Sequence, residues 1–383
     1  MRVLIAIDSF KGSMSSLEAA YAAKFGILRA DPSARVDVSP IADGGEGTMH
    51  ALKRELLATE RSVVTINPIK KPITAKYYVT DTVAIMDMSE SAGITLLTES
   101  ERKRVPYTTG SAPMHATTFG VGLMIKDAIL DGYREFYVGI GGSVTNDGGI
   151  GMLQALGFSF LDEKGEEVPF GACGAGRICQ VNAANALKEL ADCHFTVLCD
   201  VKNPLLGKNG CSHIFAPQKG ASERELDIMD GYLKNYAEKS KQYNPSADPT
   251  IEGSGAAGGM GFAFVTYLNS TLKRGIDVVC EVTQLEERIK GADIVITGEG
   301  KMDGQSASGK APIGVAALAK KHGKRVIALC GITGDGYEKC LENGIDEIYA
   351  IADPTKTLEE NIERETAIKN IERKAFEVFS KIL

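Results

Sequence analysis

Several features that would place a 383-residue chain in a familiar class are missing from this sequence. No apolar run reaches the roughly 20 residues that a transmembrane helix needs. The N-terminus enters a short strand-like run at once, without the longer apolar region of a signal peptide. We therefore expect a soluble, cytoplasmic protein without a membrane partner.

The chain also lacks a basic block. Its 43 basic and 50 acidic residues give a net charge of -7. This charge argues against nucleic acid as a partner, because nucleic-acid-binding domains present clustered positive charge. An anionic substrate would then have to be held by local charge and by backbone N–H groups.

Cysteine and histidine lack the spacings that mark redox or zinc sites. The eight cysteines include no C-x-x-C pair, and the five histidines include no H-E-x-x-H pattern. Buried free thiols are the expected state of the cysteines, and a structural zinc site is not expected. Any metal should be Mg²⁺ on oxygen ligands.

The hydrophobic pattern at both ends of the chain alternates strands with helices. The predicted strands are 3–8, 35–39, 62–66, 293–297, 325–330 and 347–352, and the predicted helices are 15–30, 46–57, 312–322, 337–342 and 358–383. This alternation predicts parallel strands joined by right-handed crossovers, as in a Rossmann-like domain.

The middle of the chain has a different pattern, in which short apolar strands mix with helices and long glycine-rich loops. The length also exceeds what one hydrophobic core usually supports. We therefore predict an α/β protein in which both chain ends, 1–71 plus 289–383, form a Rossmann-like parallel-sheet domain. A second α/β domain, 72–288, is inserted into it, and the active site is expected in the cleft between the two.

The loop after the predicted strand 293–297 carries the densest phosphate-binding chemistry. Residues 304–310 satisfy the G-x-x-x-x-G-K spacing, but Ala311 stands where a P-loop needs Ser or Thr, and the strand ends several residues too early. What remains is a glycine-rich loop at the carboxyl end of a strand, where open α/β sheets bind ligands. Its candidate nucleotide or phosphate groups are Gly298, Lys301, Gly304, Gln305 and Lys310, and its candidate Mg²⁺ ligands are Glu299 and Asp303.

Two further loops follow the first two predicted strands and precede helices. Residues 8–13 either bind an anion at a helix N-terminus or simply cap that helix, and the sequence leaves both interpretations open. Residues 42–48 carry more glycine than a cap requires, which favours a ligand site. The candidate groups here are Asp8 and Lys11 for catalysis and Ser9, Ser13, Asp43, Gly44 and Gly45 for substrate binding.

The middle of the chain holds three more candidate loops. Residues 139–151 combine many glycines with Ser143 and Asn146 as substrate contacts and Asp147 as a reactive group. Asp200 ends a strand before a proline turn, where it is a candidate base or the residue that closes an Asx-turn. Residues 253–261 contain G-x-G-x-x-G after a poor strand, so Gly258 and Gly259 indicate an anion site or close helix packing rather than a dinucleotide fingerprint.

Taken in order along the chain, these loops resemble those of the bacterial type-I glycerate kinases. The matching segments are DSFKGS, ADGGEGT, GGSVTNDGG, CDVKNPLLG, FAPQKGA, GAAGGMG, RGIDVV and TGEGKMDGQSASGKAPIGVA. Eight separated segments in one order are far more specific than any single glycine pattern. The resemblance implies a transferase that uses ATP and Mg²⁺ to phosphorylate a hydroxyl of D-glycerate, giving 2- or 3-phosphoglycerate.

The roles of single residues are inferred from charge and position. We predict that Lys11, Lys301 and glycine N–H groups hold phosphates, and that Asp200 and Asp147 rank ahead of Asp8 as the base for the glycerate hydroxyl. A nicotinamide-dependent dehydrogenase is weakened as an alternative because residues 8–13 lack the dinucleotide fingerprint. A non-catalytic anion-binding regulator is weakened because anion capture gains nothing from carboxylates. The sequence leaves the oligomeric state open, a homodimer included.

Overall fold

The structure is a computed structural model that describes residues 1–39, 41, 46–308 and 310–382. It divides into two compact units, unit 1 with Met1–Leu56 and Gly275–Leu383, and unit 2 with Leu57–Arg274. None of the described helices is long and apolar enough to cross a bilayer. All eight cysteines are free, and five of them are buried.

The β-strands, in chain order, are β1 (Arg2–Ile5), β2 (Arg35–Val38), β3 (Thr59–Ile66), β4 (Pro72–Val79), β5 (Val83–Asp87), β6 (Glu135–Gly139), β7 (Ser159–Leu161), β8 (Gln180–Asn182), β9 (His194–Leu198), β10 (Ser270–Lys273), β11 (Ile294–Thr297), β12 (Lys301–Met302), β13 (Arg325–Cys330), β14 (Ile332–Thr333) and β15 (Glu347–Ala350).

The α-helices are α1 (Ser16–Ala30), α2 (Glu46–Glu55), α3 (Ser89–Ala92), α4 (Glu99–Lys103), α5 (Ala112–His115), α6 (Phe119–Leu130), α7 (Ile150–Ala155), α8 (Ala172–Ala175), α9 (Cys211–Phe215), α10 (Glu223–Tyr243), α11 (Ala256–Tyr267), α12 (Gly275–Val282), α13 (Leu285–Gly291), α14 (Ala311–Lys321), α15 (Glu338–Glu342), α16 (Leu358–Ile362) and α17 (Arg364–Ile382). Short 3₁₀ turns lie at Ile94–Leu96, Lys188–Asp192, Pro217–Lys219 and Ser306–Ser308.

Unit 1 is built on a five-stranded sheet with the order β15-β13-β11-β1-β2. Every pairing in this sheet is parallel, with Val3 of β1 opposite both Ile294 and Val36. All four residues of β11 are buried, as is usual for a central parallel strand with both faces covered by helices. The prediction of an α/β fold with a parallel sheet made from both ends of the chain is confirmed.

The last predicted helix, 358–383, is two helices in the structure. Glu363, between α16 and α17, has φ -58° and ψ 129°, which is not helical. Its carboxylate accepts hydrogen bonds from the backbone N–H of Thr366 at 3.0 Å and from the Thr366 hydroxyl at 2.7 Å. A carboxylate in this position satisfies N–H groups at the start of a helix, so α17 begins afresh and α16 becomes a separate short helix.

Unit 2 is built on a six-stranded sheet with the order β10-β9-β6-β5-β4-β3. The pairings β3–β4 and β4–β5 are antiparallel, and the others in this sheet are parallel. Its core includes Phe136 stacked on Phe195 with ring centroids 4.7 Å apart.

The unit boundaries differ from the positions 71/72 and 288/289 expected from the sequence. Residues 62–66 lie in β3, which pairs with β4 through a turn in which the Asn67 side chain accepts the Lys71 N–H at 2.8 Å. At the other boundary, α12 and α13 belong to unit 1. There, Arg288 contacts Glu55 with 2.5 Å between Nη2 and Oε1. The strand β3 forms a hairpin with β4 and so belongs to the six-stranded sheet of unit 2. The alternation of strands and helices in the sequence does not show in which sheet a strand pairs.

Candidate active site

A pocket of about 270 Å³ lies in unit 1, lined by loops that follow the carboxyl ends of β1, β11 and β13. Its charged or hydroxyl-bearing lining residues are Asp8, Ser9, Lys11, Ser13, Glu299, Lys301 and Lys310. Its other lining residues include Phe10, Ile332, Ile351, Leu358, Asn361 and Ile362. The carboxyl end of a parallel sheet is where α/β folds place ligands, so this pocket is the candidate active site.

The loop after β1 supplies one charged wall of the pocket. Asp8 is only 3% exposed, and its backbone N–H donates to the Gly298 carbonyl at 2.9 Å, which ties the ends of β1 and β11 together. Its Oδ1 accepts the Ser9 N–H at 2.6 Å. The turn then carries Lys11 at an exposed position, beside Gly12 with a φ of +79°.

The sequence left two interpretations of this loop open, anion binding and helix capping, and Ser13 and Ser15 differ in which of them they fit. Ser15 caps α1, because its hydroxyl accepts the Glu18 N–H at 3.3 Å while its own N–H donates to the Glu18 carboxylate at 2.8 Å. Ser13 does not cap the helix. Its hydroxyl oxygen lies buried in the pocket wall and has no hydrogen-bond partner. A buried hydroxyl without a partner is costly, so Ser13 is well suited to contact a ligand.

Gly298 serves the geometry of the pocket rather than lining it. Its φ is +153°, and a Cβ atom there would lie 1.8 Å from the Leu329 carbonyl oxygen. Only glycine permits this approach of β11 to β13. Beyond it, the Gly331 N–H donates to the Glu299 carbonyl at 3.1 Å, and this pairing helps hold Glu299 in the pocket wall.

A carboxylate and an ammonium group meet in this wall. The Lys310 Nζ lies 3.5 Å from Oε2 of Glu299, whose side chain is only 9% exposed. Lys310 directly precedes α14 and has extended backbone angles, and Pro312 lies in the first turn of the helix. The pocket therefore combines this lysine with the positive end of a helix dipole, an arrangement that attracts phosphate.

The sequence predicted Asp303 as a metal ligand, but its carboxylate is engaged in a turn outside the pocket lining. Its Oδ2 lies 3.2 Å from the Lys301 Nζ, and its Oδ1 accepts the Gln305 N–H at 2.9 Å. The hydrogen bond with Lys301, followed by that from Gln305, lowers the pKa of Asp303. Gly304 lies in the same turn, between Asp303 and Gln305, and its N–H donates to the Asp335 carbonyl at 3.0 Å. Of these turn residues only Lys301 lines the pocket.

In unit 2, Asp147 is completely buried and joins the starts of two helices. Its Oδ2 accepts the Thr118 N–H at 2.8 Å, the Thr118 hydroxyl at 2.9 Å and the Gly151 N–H at 3.3 Å. Its Oδ1 accepts the Gly149 N–H at 3.1 Å. Burial raises the pKa of Asp147, and the hydrogen bonds oppose that shift. The arrangement is that of an internal helix cap.

Ser143, the Thr145 carbonyl and the Asn146 amide nitrogen of loop 139–151 also make contacts inside unit 2. Lys219 is 2% exposed, and its Nζ donates to the Ser143 hydroxyl at 2.7 Å and to the Thr145 carbonyl at 2.8 Å. Burial lowers the pKa of Lys219 to about 8. Asn146 donates from Nδ2 to the Ser212 hydroxyl at 2.9 Å. These contacts fold the loop inward.

Gly258 and Gly259 explain the false dinucleotide fingerprint. Both have positive φ, and a Cβ on Gly258 would lie 2.2 Å from the Thr145 carbonyl oxygen. The Gly258 carbonyl accepts the Gly148 N–H at 2.9 Å. The two glycines thus allow close packing of backbone on backbone, which is the second interpretation that the sequence left open.

Two predicted groups remain. Asp200 is exposed directly after Cys199, at the carboxyl end of β9. Residues Asp43, Gly44 and Gly45 lie outside the described residues. No cluster of three or more His, Cys, Asp or Glu residues that could hold a metal ion occurs in the part of the chain that the structure describes.

Comparison with known proteins decides the family. The sequence model of the glycerate kinase family matches residues 3–383. The chain belongs to the glycerate kinase family. It is therefore a kinase, and the more specific assignment to the bacterial type-I group stays a prediction.

Individual members of the glycerate kinase family agree over nearly the whole length. A glycerate 2-kinase of Escherichia coli K12 is 38% identical over 362 residues, which are 94% of this chain and 93% of the relative. A glycerate kinase of Bacillus subtilis 168 is 36% identical over 384 residues, covering 100% and 98%. The crystal structure of a candidate glycerate kinase 2 from Salmonella typhimurium LT2 superposes with a TM-score of 0.87 at 34% identity, covering 100% and 98%.

Sequence reasoning missed the apolar half of the pocket. Ile332, Ile351, Leu358 and Ile362 come from segments with ordinary strand or helix patterns, and nothing in their local sequence marks them as ligand contacts. Lys219 was visible in the FAPQKGA segment, but its burial against loop 139–151 depends on distant residues. A lone lysine between a proline turn and a glycine does not indicate that its side chain is buried.

Proposed function

We propose that this kinase transfers the terminal phosphoryl group of ATP to a hydroxyl of D-glycerate, as a phosphotransferase with an alcohol acceptor. The observation that carries the proposal is that one pocket is lined by Lys11, Lys301 and Lys310 together with two carboxylates at the ends of parallel strands. Phosphoryl transfer relies mainly on positioning and charge neutralisation, and these groups supply both.

The three lysines form the phosphate-binding end of the pocket in this proposal. Lys310 sits at the N-terminus of α14, so its ammonium group and the helix dipole act on the same phosphate. Lys11 and Lys301 are more exposed and can follow the phosphate chain. The predicted phosphate-binding role of Gly304 and Gln305 stays a hypothesis. Neither residue lines the pocket, and their turn is connected to it through Lys301, which pairs with Asp303.

For Mg²⁺ we propose Glu299 and Asp8 as the protein ligands. Both carboxylates line the pocket and follow neighbouring parallel strands, and Mg²⁺ is usually held by one or two carboxylates together with phosphates and waters. This donor set fits a metal that arrives with the nucleotide. When bound, the ion would neutralise charge that develops on the phosphate oxygens. Asp303 is not part of this proposal because it does not line the pocket.

For the base we propose Asp200. It is exposed at a strand end, whereas Asp147 is enclosed by four hydrogen bonds, and Asp8 is assigned to the metal. The hydroxyl of Ser13, buried in the pocket wall without a partner, is proposed to bind the glycerate carboxylate together with the hydroxyl of Ser9, which also lines the pocket.

For the product we propose 2-phosphoglycerate, because the Escherichia coli relative at 38% identity is a glycerate 2-kinase. The test is ADP formation from ATP with and without D-glycerate and Mg²⁺, followed by phosphorus NMR of the product. Glycerate-dependent ADP formation that requires Mg²⁺ is expected. If ADP formation did not depend on glycerate, D-glycerate would be rejected as the phosphoryl acceptor. A 3-phosphoglycerate signal would reject only the proposed position of the phosphate on the product. The nicotinamide-dependent dehydrogenase considered from the sequence is not retained, because the chain belongs to a kinase family.

A further inference from the structure

The pocket of unit 1 has an apolar end that the phosphate chemistry does not use. Its surface is formed by Ile332 and Ile351 after β13 and β15 and by Leu358 and Ile362 of α16. Leu358 is 59% exposed and Ile362 is 43% exposed. Two large exposed aliphatic side chains on one short helix, both facing the same pocket, indicate a surface that a ligand covers.

This surface exists because α16 is separate from α17. Glu363 interrupts the helix, and Thr357 begins α16 with a capping box in which its hydroxyl accepts the Glu360 N–H at 3.2 Å and its N–H donates to the Glu360 carboxylate at 2.8 Å. The fold thus fixes both ends of a five-residue helix beside the pocket, so that Leu358 and Ile362 are held in place before any ligand arrives.

Asn361 is the polar side chain of this end of the pocket, and its amide is already occupied. Its Oδ1 accepts the Asp353 N–H at 2.8 Å and the Asn370 amide at 3.0 Å. Its Nδ2 donates to the carbonyls of Asp353 at 3.0 Å and Thr357 at 2.9 Å. Asn361 therefore organises the 353–357 loop, and its amide is not available to recognise a ligand.

The occupant must have an apolar face and be joined to an anion, because the same pocket contains three lysines. Glycerate has no apolar part of useful size, and a phosphate chain has none. The base of a nucleoside triphosphate has flat faces that gain from contact with aliphatic side chains. It is also tethered to the phosphates that the lysines attract.

We propose that α16 forms the nucleobase-binding wall of the pocket and holds the base by apolar contact without reading its hydrogen-bonding edge. This inference rests on the proposed function, because it assumes that the lysine end binds the phosphates of a nucleotide. An apolar surface discriminates weakly between ligands of similar shape, whereas a site built from hydrogen bonds rejects a mismatched ligand by about 10⁴-fold or more. The enzyme should therefore use several nucleoside triphosphates.

Nucleotide choice is tested with the unaltered enzyme. Glycerate-dependent turnover is measured with ATP, GTP and ITP, which differ in the hydrogen-bonding edge of a purine of similar size. The values of kcat/KM are expected to lie within about tenfold of one another, as for an apolar surface. A preference for ATP above about 1000-fold would show that the edge of the base is read and would overturn the proposal.

The wall itself is tested by binding, which does not depend on turnover. Calorimetry compares ADP with inorganic tripolyphosphate, which lacks a base, on the wild type and on the double variant Leu358→Ala/Ile362→Ala. The variant should bind ADP about tenfold more weakly, as expected for lost apolar contact, and should bind tripolyphosphate as the wild type does. Leu341→Ala is the matched control, since Leu341 is 42% exposed in unit 1 but does not line the pocket.

The outcomes separate the wall from the proposed function. Unchanged ADP binding in the double variant, or an equal loss of ADP and tripolyphosphate binding, would overturn the wall even if the enzyme phosphorylates glycerate. A selective loss of ADP binding would support the wall even if glycerate proved not to be the acceptor. A wild-type protein that binds neither ligand would overturn both.

Discussion

Loops of the same composition do opposite work in the two units. In unit 1, Asp8, Lys301 and Lys310 line a pocket at the carboxyl edge of a parallel sheet. In unit 2, Asp147 and Lys219 are buried and form their hydrogen bonds with other residues of the same unit. Both regions contain glycine, serine, aspartate and lysine, so residue type alone does not separate a ligand site from a buried polar network.

The difference lies in what each glycine permits. Gly298 brings the end of β11 against β13 and leaves the following Glu299 in the pocket wall. Gly258 brings a loop against the Thr145 carbonyl, and this contact lies within unit 2. Glycine shows that backbone approaches something closely. Only the structure tells whether the neighbour is a ligand or more protein.

The largest expected effect is on a pocket lysine. Replacing Lys310 by alanine should lower kcat/KM for ATP by about 10²- to 10³-fold, the usual cost of removing one preorganised group that stabilises transition-state charge. Steady-state kinetics at saturating glycerate measures it. Lys339→Ala is the control, because Lys339 is exposed in unit 1 and does not line the pocket. Equal kinetics for the two variants would mean that the pocket is not the phosphate site.

The next effect tests the base. Asp200→Asn should reduce kcat by about 10²-fold, the usual contribution of a general base, and should leave the free energy of unfolding unchanged because Asp200 is exposed. Turnover and urea denaturation are measured on the same preparation. A variant with normal kcat would remove Asp200 from the mechanism.

The same substitution at the buried Asp147 tests whether this aspartate stabilises the fold instead of taking part in catalysis. Asp147→Asn places an amide group among N–H donors, so it should lower the free energy of unfolding by about 2 kcal/mol, the usual worth of a hydrogen bond to a charged group. The kcat of the folded fraction should stay within about twofold of wild type. If kcat fell instead while the urea midpoint stayed constant, Asp147 would be catalytic and the contrast between the units would fail.

The most gradual effect is a pH dependence of stability. Burial lowers the pKa of Lys219 to about 8, below the ordinary lysine value of about 10.4. Between these values the unfolded chain binds more protons than the native one, so this residue makes stability rise with pH, by up to about 1.4 kcal/mol per pH unit.

The measurement compares the wild type with Lys219→Met from pH 7.5 to 10 by urea denaturation. The difference between the two free energies of unfolding should grow in favour of the wild type as the pH rises through this window. Two curves that run parallel would mean that Lys219 is not held in the low-dielectric site that its contacts with Ser143 and Thr145 describe.

The elements of unit 1 were predictable because their periodicity is strong. Strand 325–330 matches β13, and the predicted helix 15–30 is α1 with Ser15 as its cap. Seven candidate residues, Asp8, Ser9, Lys11, Ser13, Glu299, Lys301 and Lys310, meet in one pocket, because carboxyl ends of parallel strands share one edge of the sheet. The break at Glu363 was not predictable, since a glutamate inside an amphipathic run usually continues a helix.

The sequence by itself determined the alternation of strands and helices, the parallel sheet built from both ends of the chain, and the ordered loops that mark the glycerate kinase family. These features depend on local periodicity and on sequence motifs, which are visible in the sequence itself. The tertiary structure decided which polar loops line a pocket, which are buried, and that a five-residue helix adds an apolar wall beside three lysines. Burial and hydrogen bonding depend on partners far away in the chain, as between Lys219 and Ser143, and no local pattern encodes them.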